Sequence, residues 1–213
     1  MIRNIAIVIL SVLFFACAAE NKKSDDTTTE PIAIQNSAAL DTAYFAGGCF
    51  WCVEASFEQI KGVKEAISGY SGGEEENPSY KEVSYGRTNH AEAVMVLYDS
   101  SVIDYETLLD IFFVAHDPTQ LNRQGPDVGK QYRSAIFYRN SREKNLALKK
   151  MNELDPKFED QIVTELTPFT KFWRAEEYHQ DYEKKNPNDR YILNVSKPKI
   201  EKVAKTFKDL LKK

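Results

Sequence analysis

Residues 47–54 read GGCFWCVE. Two cysteines, Cys49 and Cys52, stand three apart with Phe50 and Trp51 between them. Upstream, residues 41–46 form a short apolar strand pattern that runs into the Gly47-Gly48 turn. Downstream, Val53, Phe57 and Ile60 recur at near-helical spacing over residues 50–60, and Gly62 supplies a stop. Cys49 therefore falls where a strand turns into the first turn of a helix. Unpaired N–H groups and the helix dipole stabilise a thiolate there, so the expectation is a lowered Cys49 pKa. Cys52 lies about one helical turn below, at a separation that suits a disulfide.

Reading outward, residues 63–70 form a strand closed by the turn Ser71-Gly72-Gly73, and residues 74–86 form a polar excursion. Residues 90–98 alternate as a strand with Glu92, Val94 and Val96 on one face. A helix is expected over 105–115, a long loop over 116–131, a strand over 134–138 and a helix over 141–154 with Ser141 as its cap. The order strand, helix, strand, strand, helix, strand is that of a two-layer α/β sandwich with a ferredoxin-like split βαβ core. A loop as long as 116–131 is commonly functional. Residues 198–213 place Ile200, Val203, Phe207, Leu210 and Leu211 on one face of an amphipathic C-terminal helix suited to packing on the body.

The 213 residues are 42% hydrophobic and 28% charged, with a formal net charge of −4, a globular composition without the basic stripe of a nucleic-acid binder. Three cysteines, Cys17, Cys49 and Cys52, make no disulfide framework. Cys17 follows Arg3 and an apolar run over residues 5–15, too short to span a bilayer. The ending FFAC resembles a bacterial lipoprotein signal, with Cys17 as the lipid-attachment residue. Ala16-Cys17-Ala18 also reads as a simple A-x-A cleavage site. The division expected is a signal segment at 1–16, a lipid-attachment cysteine and flexible polar tether at 17–40, and one domain at 41–213. That arrangement places the protein outside the cytoplasm, anchored in the cell envelope.

The residues alone leave the cysteine pair open. Cys52 could be a small buried hydrophobe. A zinc site needs two further ligands, and the three histidines, His90, His116 and His179, are scattered with no second C-x-x-C, so no metal is expected. What remains is thiol chemistry at a helix start, either general disulfide exchange or something more specialised.

Four separated segments narrow this. GCFWCVEASFEQIKGVKEAISGYSGG (48–73), NPSYKEVSYGRTNHAEAV (77–94), HDPTQLNRQGPDVGKQYRSAIFY (116–138) and AEEYHQDYEKKNP (175–187) resemble, in order and spacing, the A-type peptide methionine sulfoxide reductases. The resemblance implies a two-layer α/β fold and reduction of the S epimer of methionine sulfoxide, free or in peptides. It implies Cys49 as nucleophile and Glu92 as catalytic acid. Tyr80 and Tyr132 would hydrogen-bond the sulfoxide oxygen, with Asp127 in the same pocket. Phe50 and Trp51 would hold the S-methyl group, and His179 matches a family position beside the substrate. A carboxylic acid that protonates the leaving oxygen must be kept neutral, so Glu92 is expected to have a raised pKa.

The first half-reaction of such an enzyme leaves Cys49 as a sulfenic acid. Many members resolve it with cysteines near the C-terminus, but residues 188–213 contain none. The resemblance thus points to Cys52 as resolving residue and to a Cys49–Cys52 disulfide recycled by a thioredoxin-like donor, with an external thiol as the alternative. No cofactor is implied. General disulfide reduction and non-catalytic binding of oxidised peptides are the rival functions.

Overall fold

The computed structural model describes residues 40–213. The signal segment, Cys17 and the tether lie outside the described residues, except for Leu40 at the boundary.

Strand β1 (Asp41–Gly47) leads into helix α1 (Phe50–Glu58), and β2 (Val63–Ser71) returns. A short helix α2 (Tyr80–Ser84) interrupts the polar excursion. Then come β3 (Ala91–Tyr98) and α3 (Tyr105–Ala115). The long loop carries a two-stranded hairpin, β4 (Arg123–Gln124) with β5 (Asp127–Val128). After it follow β6 (Ser134–Tyr138), α4 (Ser141–Leu154), β7 (Glu165–Pro168), β8 (Phe172–Arg174), α5 (Tyr182–Lys185) and α6 (Lys197–Thr206).

Six strands form one mixed sheet in the order β7-β6-β1-β3-β2-β8. Within it β6-β1-β3-β2 are mutually antiparallel neighbours, so the two βαβ units interleave, each placing one strand between the strands of the other. The fold is α/β, as expected, and the edge strands β7 and β8 enlarge it.

The pleat sorts the sheet into two faces. Phe45 of β1 and Val94 and Val96 of β3 face the helices and join a core with Val53, Phe57, Leu108, Phe112 and Val203. Tyr44, Ala46, Ala93 and Met95 face the other way, where Phe169 and Phe172, flanking the turn between β7 and β8, cover them. Tyr44 and Phe169 stack with ring centroids 3.9 Å apart. Glu92 shares the helix-facing side with Val94 and Val96, so the alternation of β3 aims a carboxyl group into the apolar layer at the start of α1.

Four local expectations need correction. The cap of α4 is Asn140 and not Ser141: the Asn140 Oδ1 accepts the Glu143 N–H at 3.0 Å. The segment 74–86 is not wholly irregular: Ser79 accepts from the Glu82 N–H while Glu82 returns a bond to the Ser79 N–H, a capping box that starts α2. The loop 116–131 folds into the β4–β5 hairpin. The C-terminal helix ends at Thr206 instead of continuing to Lys213. There the chain turns back so that Lys61 N–H donates to the Leu210 carbonyl at 2.7 Å and Lys212 N–H to the Gln59 carbonyl at 2.8 Å. The tail closes the lower end of α1, and Val203, Phe207 and Leu210 pack on the core. Among the described residues no helix is long and apolar enough to cross a membrane.

Candidate active site

The Gly47-Gly48 turn presents Cys49. Gly48 has φ +90°, a conformation open to glycine, and a Cβ there would lie 2.5 Å from Gln124 Cβ. The turn therefore packs directly on the β4–β5 hairpin. Cys49 is the N-cap of α1, and its carbonyl accepts from Cys52 N–H at 3.2 Å. Its side chain is 5% exposed.

Around this sulfur the fold gathers residues from α1 and from five further segments on a cavity of about 210 Å³. Phe50 and Trp51 come from α1, Tyr80 from α2 and Glu92 from β3. Asp127 comes from β5, Tyr132 from the turn before β6, and Tyr191 from the segment before α6. Glu92 is 2% exposed, and its Oε2 accepts the Phe50 N–H at 3.1 Å. Burial, with the Asp127 charge nearby, raises its pKa to about 8. The carboxyl is thus held in its acid form at neutral pH and faces the helix start that carries Cys49. Burial and the neighbouring Glu92 carboxylate also push the Tyr80 and Tyr132 phenols up, so both remain donors throughout the working range.

Trp51 is fixed on both faces of its surroundings. Its ring stacks on Tyr182 at 3.8 Å, and its Nε1–H donates to His179 Nδ1 at 3.2 Å. His179 also packs against Phe50 and Tyr80. It stands behind these rings and does not line the cavity. Burial lowers its pKa to about 4, which keeps it a neutral acceptor for the indole.

The two thiols are free and buried. Cys52 does not line the cavity. It lies on the inner side of α1, 1% exposed, and shares a 2.9 Å hydrogen bond with Ser196 Oγ. The pair shares its protons unevenly, and this corrects the expectation for Cys49. Burial, the hydrogen bond to Cys52 and the Cys52 and Glu92 charges raise the Cys49 pKa. The same hydrogen bond, with help from Lys199 and Ser196, lowers the Cys52 pKa to about 7. The helix start favours a thiolate at Cys49, but loss of water around a nearly closed sulfur outweighs it.

Local sequence reading missed three partners. Tyr191 donates its hydroxyl to Asp127 Oδ2 at 2.5 Å and also contacts the Cys49 thiol. Ser196 meets Cys52. Glu54, the last residue of the opening stretch, is 3% exposed; it accepts from the Asp181 N–H at 2.5 Å and from the Ser68 hydroxyl. Glu54 thereby ties α1 to the segment that carries His179 and Tyr182. Its place beside Cys52 and Val53 on the buried side of a helix was the available signal. For Tyr191 and Ser196, more than 130 residues from the cysteines in sequence, there was none.

Among the described residues no group of three or more His, Cys, Asp or Glu side chains could hold a metal ion. A thiol, a neutral carboxylic acid and phenolic donors around one small cavity are the groups that thiol-dependent oxidoreductase chemistry calls for. The model of the family described as peptide methionine sulfoxide reductase matches residues 41–211. The peptide methionine sulfoxide reductase MsrA of Pasteurella multocida is 56% identical over 170 residues, covering 80% of this chain and 98% of the relative. The crystal structure of reduced Mxr1 from Saccharomyces cerevisiae superposes with a TM-score of 0.69 at 37% identity, covering 73% of this chain and 91% of that one. Mxr1 in complex with Trx2 gives 0.51 at 27% identity, covering 70% and 90%. The chain belongs to the peptide methionine sulfoxide reductase family.

Proposed function

We propose that this protein reduces the S epimer of methionine sulfoxide, free or in peptides, through a sulfenic acid on Cys49. The observation that carries the reading is the convergence of Cys49, Glu92, Tyr80, Tyr132 and Asp127 on one 210 Å³ cavity in a chain of this family. The sulfoxide oxygen points to the Tyr80 and Tyr132 hydroxyls, and the S-methyl group lies against Phe50 and Trp51. The Cys49 sulfur gives up its proton and attacks the substrate sulfur while the Glu92 carboxylic acid protonates the oxygen; an S–S bond forms as the S–O bond breaks and water leaves. Water then attacks the Cys49 sulfur, the S–S bond breaks, methionine leaves reduced, Cys49 is left as a sulfenic acid, and the released proton returns to Glu92. The uncharged phenols stabilise the developing oxygen charge without adding a formal charge, as oxyanion-hole donors do.

Cys52 then attacks the sulfenic sulfur. An S–S bond forms, the S–OH bond breaks, and water leaves. A thioredoxin-like dithiol reduces the Cys49–Cys52 disulfide; the capture of the structurally similar Mxr1 with Trx2 supports such a donor. Arg3, the apolar run over 5–15 and the FFAC ending support attachment of lipid at Cys17 and repair of oxidised methionines in exported, envelope-associated proteins. The deciding assay uses the two separated methionine sulfoxide epimers with dithiothreitol as donor. Turnover of the S epimer alone is expected; equal turnover of both, or of neither, contradicts the reading. Fatty-acid labelling that is lost in Cys17→Ser tests the anchor.

A further inference from the structure

Lys199 has an unexplained place in the molecule. Its Nζ is closed off from solvent and has no hydrogen-bond partner among the described residues. It lines a second cavity of about 480 Å³ together with Asp117, Glu159 and Asp160, yet none of these carboxylates is hydrogen-bonded to it. A desolvated ammonium group is costly unless an anion lies close by. Lys199 stands three residues after Ser196, which places both on one face at the start of α6. Ser196 Oγ is 2.9 Å from Cys52 Sγ. The C-terminal segment thus brings a hydroxyl to the Cys52 sulfur and sets a cation three residues further along the same helix face, close enough for its charge to act on that sulfur.

We propose that Lys199 is a positioning residue which, with Ser196, holds Cys52 as the thiolate that attacks the Cys49 sulfenic acid. This rests on the reading of Cys52 as resolving residue. In the step, Cys52 is oxidised and the sulfenic sulfur is reduced. The S–S bond forms as the S–O bond breaks, and the departing hydroxide takes a proton from solvent to become water. The groups facing Cys52 are opposed in effect. Cys49, Ser196 and Lys199 favour its ionised form, while burial and Asp127 oppose it. The Glu92 and Tyr191 groups also feel the Cys52 charge. Lys199 is the cation of this set. It also acts on His116, whose pKa burial and nearby lysines lower to about 4, so that ring stays neutral and does not compete for the role. The arrangement separates two tasks: a sulfur at the cavity that meets substrate, and a sulfur behind it kept ready for the second step.

The test uses the full chain in a Cys49→Ser background, with Cys49→Ser/Cys52→Ser as the blank for thiolate absorbance near 240 nm. Lys199→Met is expected to raise the Cys52 titration midpoint by about one pH unit or more, the size typical of losing a nearby opposite charge. Lys199→Arg is expected to restore most of it. With both cysteines present, Lys199→Met should lengthen the lifetime of the dimedone-trapped sulfenic acid about fivefold at pH 7. At pH 9, where Cys52 ionises in either protein, the difference should largely vanish; the fivefold figure follows from moving a midpoint of about 7 up by one unit. Ser196→Ala provides a second variant and should move the midpoint in the same direction. An unmoved midpoint in Lys199→Met overturns the pairing of Lys199 with Cys52. A moved midpoint, combined with a Cys52→Ser enzyme that clears its sulfenic acid at the wild-type rate, upholds the pairing and overturns the resolving role instead.

Discussion

Glu92 Oε2 accepts the backbone N–H of Phe50 at 3.1 Å. One hydrogen bond therefore couples the middle of the sheet to the first turn of the helix that carries both thiols. The same carboxyl group lines the cavity together with the Cys49 thiol.

Glu92→Gln should lower kcat/KM for the S sulfoxide by about 10²–10⁴-fold, the range for loss of a general acid. The folded protein should persist, because the amide oxygen still accepts from Phe50 N–H. With a pKa of about 8, Glu92 is protonated below that value and ionises above it. The reductive step should therefore fall as pH rises past about 8. Single-turnover methionine release across pH 6–10 checks it.

Tyr80→Phe and Tyr132→Phe each remove one hydroxyl from the cavity wall and leave the ring. By analogy with other oxyanion-hole donors, either change should cost about 10²-fold or more in kcat with a smaller change in KM. If KM rises with kcat unchanged, these phenols bind substrate without stabilising the transition state.

Tyr191→Phe should also impair the enzyme, although the residue lies far along the chain from the other site residues. Its hydroxyl is bonded to Asp127 Oδ2 at 2.5 Å. Loss of a hydrogen bond to a charged group costs about 1.5–3 kcal/mol, which is roughly 10–100-fold if it falls on the transition state. Steady-state kinetics on free methionine sulfoxide measures it.

Glu54 gives a stability prediction with a defined sign. Burial raises its folded pKa from 4.5 to about 7. Its contribution is fully present below the unfolded value and is lost as pH rises through about 7, so stability should fall between pH 5 and 8. The loss is at most about 3 kcal/mol from this group. Glu54→Gln keeps an acceptor for Asp181 N–H and a donor for Ser68, and should flatten the pH dependence in urea unfolding. A slope unchanged by the substitution would assign it to other groups such as Glu92.

Much of the scaffold was legible because its signals are local. The alternation in residues 90–98 put Glu92 on the valine face, and the helix over 105–115 was readable from its paired leucines and phenylalanines. The glycine turn before Cys49 marked the site. The capping box that starts α2 was also present as Ser79 and Glu82, and went unread within a polar stretch. Other features depend on distant pairing. Strands β7 and β8 are short edges defined by their neighbours, and the end of α6 at Thr206 is set by bonds to the chain just after α1. The ionisation of Cys49 depends on how completely the fold closes over it, which no local pattern encodes. Tyr191, Ser196 and Lys199 reach the thiols only through tertiary packing of the C-terminal segment.

The central claim is tested most directly by mixing the fully reduced protein with excess peptide methionine S-sulfoxide and no reductant. Released methionine is counted, and the peptide carrying Cys49 and Cys52 is mapped by mass spectrometry. The account predicts one methionine per protein molecule and a Cys49–Cys52 disulfide, with a persistent Cys49 sulfenic acid in Cys52→Ser. Methionine release that survives in Cys49→Ser, or a wild-type burst that leaves both thiols free, would contradict it.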